Sequence, residues 1–311
     1  MERSDSIQTN IQWRRLGGIV AVQGSVTLAW VIYSLYLPDL LVRLGFAKEL
    51  AGTLLIIEHA IEVVVEPTFG YLTDRAAFGK GTRFPWIAIG IALASAFFIA
   101  LPIVALFVPA GSIWRWSFPA IAVLWASAMA MFRSPVVALL GKTTSQPNFP
   151  LAASCIVLIQ QLIKAFRFAA YSLILSFGPF VTFAIGSFVF LGAGTVLRRV
   201  MPASSPPLPS ENGSPISRRT LLIIAATGLG MGWSLRFLLA SLGQVFAAQL
   251  GSDRVTLGML GFNLLLAIFA LPAGKLASRV GNARSMVVAA IATAILLAII
   301  ASTSVTVIVA I

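Results

Sequence analysis

The chain has 311 residues, of which 59% are hydrophobic and 10% are charged, and its mean hydropathy is +0.95. A soluble domain would carry about 25% charged residues, so the composition excludes a soluble fold and predicts an all-α membrane protein. The net charge of +12 does not indicate nucleic-acid binding, because the basic residues lie mostly in short loops without interleaved aromatic residues. One cysteine, Cys155, and one histidine, His59, predict no disulfide, no metal cluster and no cofactor.

Apolar segments long enough to cross a membrane recur along the chain. A spanning helix needs about 20 predominantly apolar residues. The first run follows the polar N-terminus and lacks a clear cleavage site, so we interpret it as a retained span rather than a signal peptide. The nine predicted spans cover residues 17–42, 50–72, 85–108, 114–140, 150–175, 178–198, 220–248, 255–274 and 285–311.

The longest polar break divides these spans into six and three. It contains the proline- and serine-rich sequence MPASSPPLPSENGSPIS, which is typical of a flexible linker. We therefore predict a six-helix bundle over residues 1–200, a linker over 201–218 and a partial three-helix bundle over 219–311. The last predicted span is apolar to its end, so we expect a C-terminally truncated product.

The positions of the basic residues predict the orientation. Of the 22 Lys and Arg residues, 15 fall at the N-terminus and in alternate loops, four fall on the opposite side, and three lie within predicted spans. Arg133 is counted among the 15. Because cytoplasmic loops carry the excess of positive charge, we place the N-terminus and the linker in the cytoplasm and expect a multi-pass protein of the plasma (inner) membrane.

Three acids lie on one face of the second predicted span. Glu58, Glu62 and Glu66 recur every four residues, which places them on the same side of a helix. A charged group within hydrocarbon costs roughly 2.5–3.5 kcal/mol on insertion scales, so these acids require a bound cation, a proton or a basic partner. The pattern favours cation coupling at these three residues, and the alternative is structural pairing with the basic residues inside later spans.

A short sequence element occurs twice. Gly70-Tyr-Leu-Thr-Asp74-Arg75 follows the second span, and Gly274-Lys-Leu-Ala-Ser278-Arg279 follows the eighth, 204 residues later. A proline precedes each copy at nearly the same distance. Two copies in matching cytoplasmic loops predict two parallel halves, with the solute site near the midplane between them.

These elements resemble the loop motif of the major facilitator superfamily. The longer pattern is similar to the glycoside-pentoside-hexuronide and sucrose carrier branch, which is melibiose permease-like. The matching positions are Glu62, Glu66, Pro67 and Gly70, then Gly79-Lys80, Pro85-Trp86-Ile87 and Gly90, and finally Pro135-Val-Val-Ala138-Leu139.

The resemblance implies a major facilitator helical bundle of about nine helices, six plus three of a twelve-helix fold. It also implies sugar uptake coupled to H⁺ or Na⁺, with Glu62 and Glu66 in the cation site. The chain departs from the branch in four respects. Both acids are Glu rather than Asp, and Ser278 replaces the acid of the second loop. Arg133 lies before Pro135 rather than inside the motif, and the sequence has no counterpart of spans ten to twelve.

Three basic residues inside predicted spans are candidates for holding the solute. Lys164 and Arg167 share one face of the fifth span, and Arg236 lies near the middle of the seventh. Intramembrane cations face a cavity or a charged partner. These residues therefore either bind a polar solute or neutralise the acids of the second span.

Other side chains complete the predicted solute and gate sites. Trp30 and Tyr33 share a face of the first span and offer flat rings for a sugar, although aromatic packing is the common alternative. Gln161 adds a hydrogen-bonding group. The cytoplasmic gate residues are predicted from the repeated element and its basic loop: Gly70, Asp74, Arg75, Arg83, Gly274 and Arg279.

The leading functional prediction is a secondary active transporter, a symporter of a sugar-like or other small polar solute working by alternating access. We expect a monomer whose partners are membrane lipid, the solute and H⁺ or Na⁺. The alternatives are a non-transporting membrane assembly or pigment-delivery factor on the same fold, and a lipid or drug exporter. We do not expect an enzyme, because the sequence has no nucleophile–base set, phosphate loop or metal cluster.

Overall fold

The structure, a computed structural model, describes residues 11–80, 84–201, 217–251 and 254–309. Within these ranges every regular element is helical, and 3-10 turns at Ile113–Trp116 and Gln146–Asn148 precede the fourth and sixth helices. The helices are α1 (Trp13–Arg43), α2 (Leu50–Lys80), α3 (Phe84–Phe107), α4 (Ser117–Ala138), α5 (Leu140–Thr143), α6 (Phe149–Ala169), α7 (Tyr171–Ser176), α8 (Gly178–Val200), α9 (Arg218–Leu250), α10 (Val255–Val280) and α11 (Asn282–Val309).

Seven of the described helical segments are long and apolar enough to cross a membrane. They include α1, α3, α8 and α10, together with segments built around α4, α6 and α11. The protein is therefore all-α and membrane-embedded. Two of the nine predicted spans, the helices α2 and α9, are not among the seven.

The acidic residues of α2 explain why its composition alone does not identify it as a membrane span. The exposure pattern of its side chains does identify it as one. Glu58 and Glu62 are buried, at 0% and 5% exposure, whereas Ile56 and Val64 are 71% and 67% exposed. A helix in water shows the reverse arrangement, with polar residues outside. An apolar outer face with a polar inner face is what a lipid-facing helix of a bundle requires, so we treat α2 as spanning.

The first six long helices form a bundle with α1 at its centre. α1 packs mainly against α6 and α8, α3 packs against α4 and α8, and α2 packs against α4. The core is rich in aromatic rings. Phe98 of α3 stacks on Trp125 of α4 and on Phe183 of α8, with ring centroids 5.3 and 4.4 Å apart. These fully buried rings fix how three helices meet.

Glycine permits two of these close helix contacts. A Cβ at Gly186 of α8 would lie 2.6 Å from the ring of Phe98, and one at Gly90 of α3 would lie 2.8 Å from Cβ of Phe132. Both distances are shorter than carbon atoms tolerate. The small residues of α3 and α8 therefore let bulky rings of neighbouring helices approach the backbone.

The last three helices join the bundle through one extensive contact. α10 packs along α6, and α9 packs against α10 and α11. At the crossing of α10 and α6, a Cβ at Gly274 would lie 2.4 Å from Oγ of Ser154 and 3.0 Å from the carbonyl of Pro150. The two helix backbones thus meet at Gly274. The predicted linker falls mostly on residues 202–216, which lie outside the described residues.

Two local predictions are wrong. The fifth span is not one helix, because it divides at Ala170 into α6 and α7. The repeated element does not lie in loops: Gly70 to Arg75 lies within α2, and Gly274 to Arg279 lies within the last turns of α10. Both helices continue through an internal proline, Pro67 or Pro272. Spanning helices tolerate proline because neighbouring groups satisfy the backbone that it frees.

Candidate functional site

An acidic cluster lies where α2 faces α1 and α4. We define it as Glu58, Glu62 and Glu66 with their basic neighbours His59 and Arg133. Glu58 and Glu62 are buried and Glu66 is half-buried. The four-residue spacing on one helix produces this shared face, as the sequence predicted. The acids point into the bundle rather than towards the outer apolar face of α2.

Glu58 is the most enclosed of the three acids. The hydroxyl of Tyr33 on α1 donates a hydrogen bond of 2.5 Å to its Oε1. Its Oε2 has no hydrogen-bond partner among the described residues. A buried carboxylate with an unsatisfied oxygen is costly. The geometry therefore leaves one oxygen of Glu58 open to a proton.

Arg133 of α4 is the basic partner of the other two acids. Its Nη1 lies 3.4 Å from Oε1 of Glu62, its Nη2 lies 3.5 Å from Oε2, and its Nη2 also contacts Oε1 of Glu66. His59 adds a contact of 3.2 Å from its Nδ1 to Oε2 of Glu62. One guanidinium thus bridges two acids and ties α2 to α4.

This partner corrects the sequence analysis in one respect. Arg133 was counted with the cytoplasmic loop charges, but it lies within α4, five residues before the helix ends at Ala138. It also lies inside the predicted span over residues 114–140, so its assignment to a cytoplasmic loop was inconsistent with that span. The sequence signal for a pairing role of Arg133 is an arginine within one span when another span carries acids.

Aromatic rings form one wall of the acidic cluster. Trp30 lies 4.9 Å from Trp125 and 5.0 Å from the imidazole of His59, measured between ring centroids. Tyr33 lies 4.7 Å from Trp125. Trp125 is fully buried, and its Nε1 has no hydrogen-bond partner among the described residues. The structure therefore brings two of the predicted solute residues to the acidic cluster: Tyr33 contacts Glu58, and Trp30 contacts His59.

The remaining predicted solute residues lie on other helices. Gln161, Lys164 and Arg167 are half-buried on α6, which packs against α1 and α10. The guanidinium of Arg167 lies 5.7 Å from the ring centroid of Phe168. Arg236 lies on α9, and its side chain is outside the described residues. Their role in solute binding stays a prediction.

The glycines of the predicted gate lie at helix crossings. A Cβ at Gly70 of α2 would lie 2.9 Å from Oγ of Ser134 on α4. Gly274 occupies the corresponding close approach between α10 and α6. Arg75 and Arg279 are exposed, and the side chain of Asp74 and the whole of Arg83 lie outside the described residues. Each copy of the repeated element thus has its glycine at a tight helix crossing.

Comparison of the chain with known proteins gives no independent identification. No protein-family model, curated protein or solved structure matches it. The resemblance to major facilitator carriers therefore remains a prediction from the sequence motifs, and the functional argument depends on the acidic cluster and its neighbours.

Proposed function

We propose that the protein is a secondary active transporter of the major facilitator type, a symporter that moves a small polar solute by alternating access. The observation that carries the proposal is the buried acidic cluster of α2 in an otherwise apolar bundle. Ionisable groups inside membranes are costly and mark ion or solute pathways. The aromatic wall at Trp30 and Trp125 supports a solute with flat apolar faces, such as a sugar.

The arrangement favours H⁺ over Na⁺ as the coupling ion, and Glu58 over its neighbours as the coupling residue. Arg133 pairs with both Glu62 and Glu66, and its positive charge opposes a metal cation beside them. Glu58 is held only by the hydroxyl of Tyr33 among the described residues and keeps one open oxygen. A proton neutralises this carboxylate with no further ligand, whereas Na⁺ requires several.

Arg133 supplies the second part of the mechanism. Its contacts with Glu62 and Glu66 hold α2 against α4 in the described conformation. A solute that offers hydroxyl groups to these charged side chains competes for the same hydrogen bonds. Solute binding thereby replaces hydrogen bonds of the acidic cluster, whereas the extensive packing of α2 on α4 stays in place. Proton binding at Glu58 removes the negative charge of that carboxylate.

The decisive test is uptake by the purified chain in proteoliposomes, with a panel of sugars and an imposed H⁺ or Na⁺ gradient. We expect accumulation to follow the H⁺ gradient. Glu58→Gln mimics the protonated acid, so it should abolish gradient-driven accumulation while retaining solute exchange at equal concentrations. Glu49→Gln is the matched control, because Glu49 is an exposed acid that directly precedes α2.

Accumulation driven by the H⁺ gradient in Glu58→Gln at the wild-type rate would refute the coupling role. Solute accumulation that follows only the Na⁺ gradient would assign a different ion to the cluster. If no solute accumulates under either gradient while the protein is inserted and folded, the non-transporting alternative on the same fold is favoured.

A further inference from the structure

A groove lies between the beginning of α3 and the end of α8 and shares no residue with the acidic cluster. Its volume is about 460 Å³, within the range of roughly 300–1,000 Å³ typical of ligand pockets. The residues that line it include Phe84, Ile87, Leu191, Thr195, Arg198 and Met201. Most of its surface is apolar, and its one cation lies in the last turn of α8.

The groove lies on an outward-facing surface. Its floor is closed by the contact of Gly194 with Ile91, where a Cβ would lie 2.9 Å from Cδ1 of the isoleucine. Beside it, Ile89 of α3 and Phe188 of α8 expose apolar side chains. Exposed apolar residues on a spanning bundle contact lipid chains, so the groove opens towards the bilayer.

Positive charge gathers at one end of the groove. Arg198 is exposed in the last turn of α8. The same end receives the beginning of α3 at Phe84, where the helix dipole is positive. The described lining contains no acidic side chain. An apolar channel that ends at a cation near a helix terminus matches a lipid tail joined to an anionic headgroup.

We propose that this groove binds one anionic phospholipid, with the phosphate at Arg198 and an acyl chain along the exposed lining residues Ala88 and Leu191. A free anion would leave the apolar floor uncovered. A zwitterionic lipid would bring its own cation to the end where Arg198 and the α3 dipole are positive. The proposal concerns a lipid site outside the transport pathway and does not depend on the proposed function.

The test is native mass spectrometry of the full chain in detergent, titrated with phosphatidylglycerol or phosphatidylcholine of matched acyl chains. We expect the protein to retain phosphatidylglycerol in preference to phosphatidylcholine. Arg198→Gln should weaken its binding about fivefold, as expected for one basic side chain at the membrane surface. Arg199→Gln is the matched control, since this neighbouring arginine does not line the groove. Thr195→Trp should fill the groove and reduce binding of both lipids.

Several results would overturn the proposal. Equal losses in Arg198→Gln and Arg199→Gln would indicate diffuse surface charge. Inorganic phosphate that binds equally well to wild type and Thr195→Trp would indicate a free anion, and a dimer that Thr195→Trp dissociates would indicate a second copy of the chain. Circular dichroism tests folding of each variant. If Thr195→Trp does not fold, Arg198→Lys decides: retained preference supports the site, and loss equal to that of Arg198→Gln contradicts a simple charge contact.

Discussion

Replacing Arg133 by methionine removes the guanidinium that Glu62 and Glu66 share and leaves two acids of α2 without it. Removing one partner of a buried ion pair costs about 3–5 kcal/mol, whereas an exposed pair contributes about 0–1 kcal/mol. The Glu62 side chain is 6% exposed, and those of Arg133 and Glu66 are 28% and 30% exposed. We therefore expect Arg133→Met to lower the free energy of unfolding by about 2–3 kcal/mol.

The measurement is unfolding in mixed detergent micelles, followed by circular dichroism as the denaturing detergent is increased. Adding Glu62→Gln and Glu66→Gln to Arg133→Met should recover at least half of the loss, because neither acid that Arg133 had paired is then charged. Arg14→Met is the control: this exposed arginine in the first turn of α1 should change the free energy by less than about 0.5 kcal/mol. A fully stable Arg133→Met variant, or no recovery in the triple variant, would refute the reasoning.

Two further predictions concern packing and hydrogen bonding, and the same unfolding measurement checks both. Gly274→Ala should destabilise the protein by about 1–3 kcal/mol, because its Cβ collides with α6. Gly261→Ala on the same helix has open space and should stabilise by roughly 0.5–1 kcal/mol; equal effects would contradict the tight crossing. Tyr33→Phe removes the donor to Glu58 and should cost about 1–3 kcal/mol. Tyr71→Phe, an exposed hydroxyl on α2, should cost almost nothing, and a matching loss there would contradict the role of the hydrogen bond.

Sequence patterns predicted the helices because each apolar run is long and continuous. Backbone polar groups must be satisfied inside the helix at membrane depth, so hydropathy locates such segments, except where charged residues lower it, as in α2. The same rule explains the error at the repeated element. Proline and glycine usually end helices in water, but α2 and α10 continue through Pro67 and Gly70, and through Pro272 and Gly274.

The acidic face could also be predicted from the sequence, since the four-residue spacing of Glu58, Glu62 and Glu66 requires only helical geometry. The partners of these acids could not be predicted from the sequence. Spacing within α2 does not reveal that α4 lies opposite, or that Arg133 reaches two of the acids while Tyr33 reaches the third. Such contacts depend on the order in which helices pack, and charge counting removed Arg133 from consideration.

The contacts of α2 differ on its two sides, and this difference gives the proposed coupling a physical basis. α2 packs far more extensively on α4 than on α1, and on that side it also has the ion pairs of Arg133 and the close approach of Gly70 to Ser134. On the α1 side, the one polar contact that the described side chains of the cluster make with α1 is the hydrogen bond from Tyr33 to Glu58.

A proton that binds Glu58 therefore acts at the weaker side of α2. It changes the acceptor of Tyr33 from a carboxylate to a neutral carboxyl, which weakens a charge-assisted hydrogen bond, and it leaves the contacts with α4 in place. Under the proposed function, α2 and α4 move together relative to α1, and protonation of Glu58 determines when this movement occurs. Cross-linking α2 to α4 through introduced cysteines should then preserve transport, whereas cross-linking α2 to α1 should stop it.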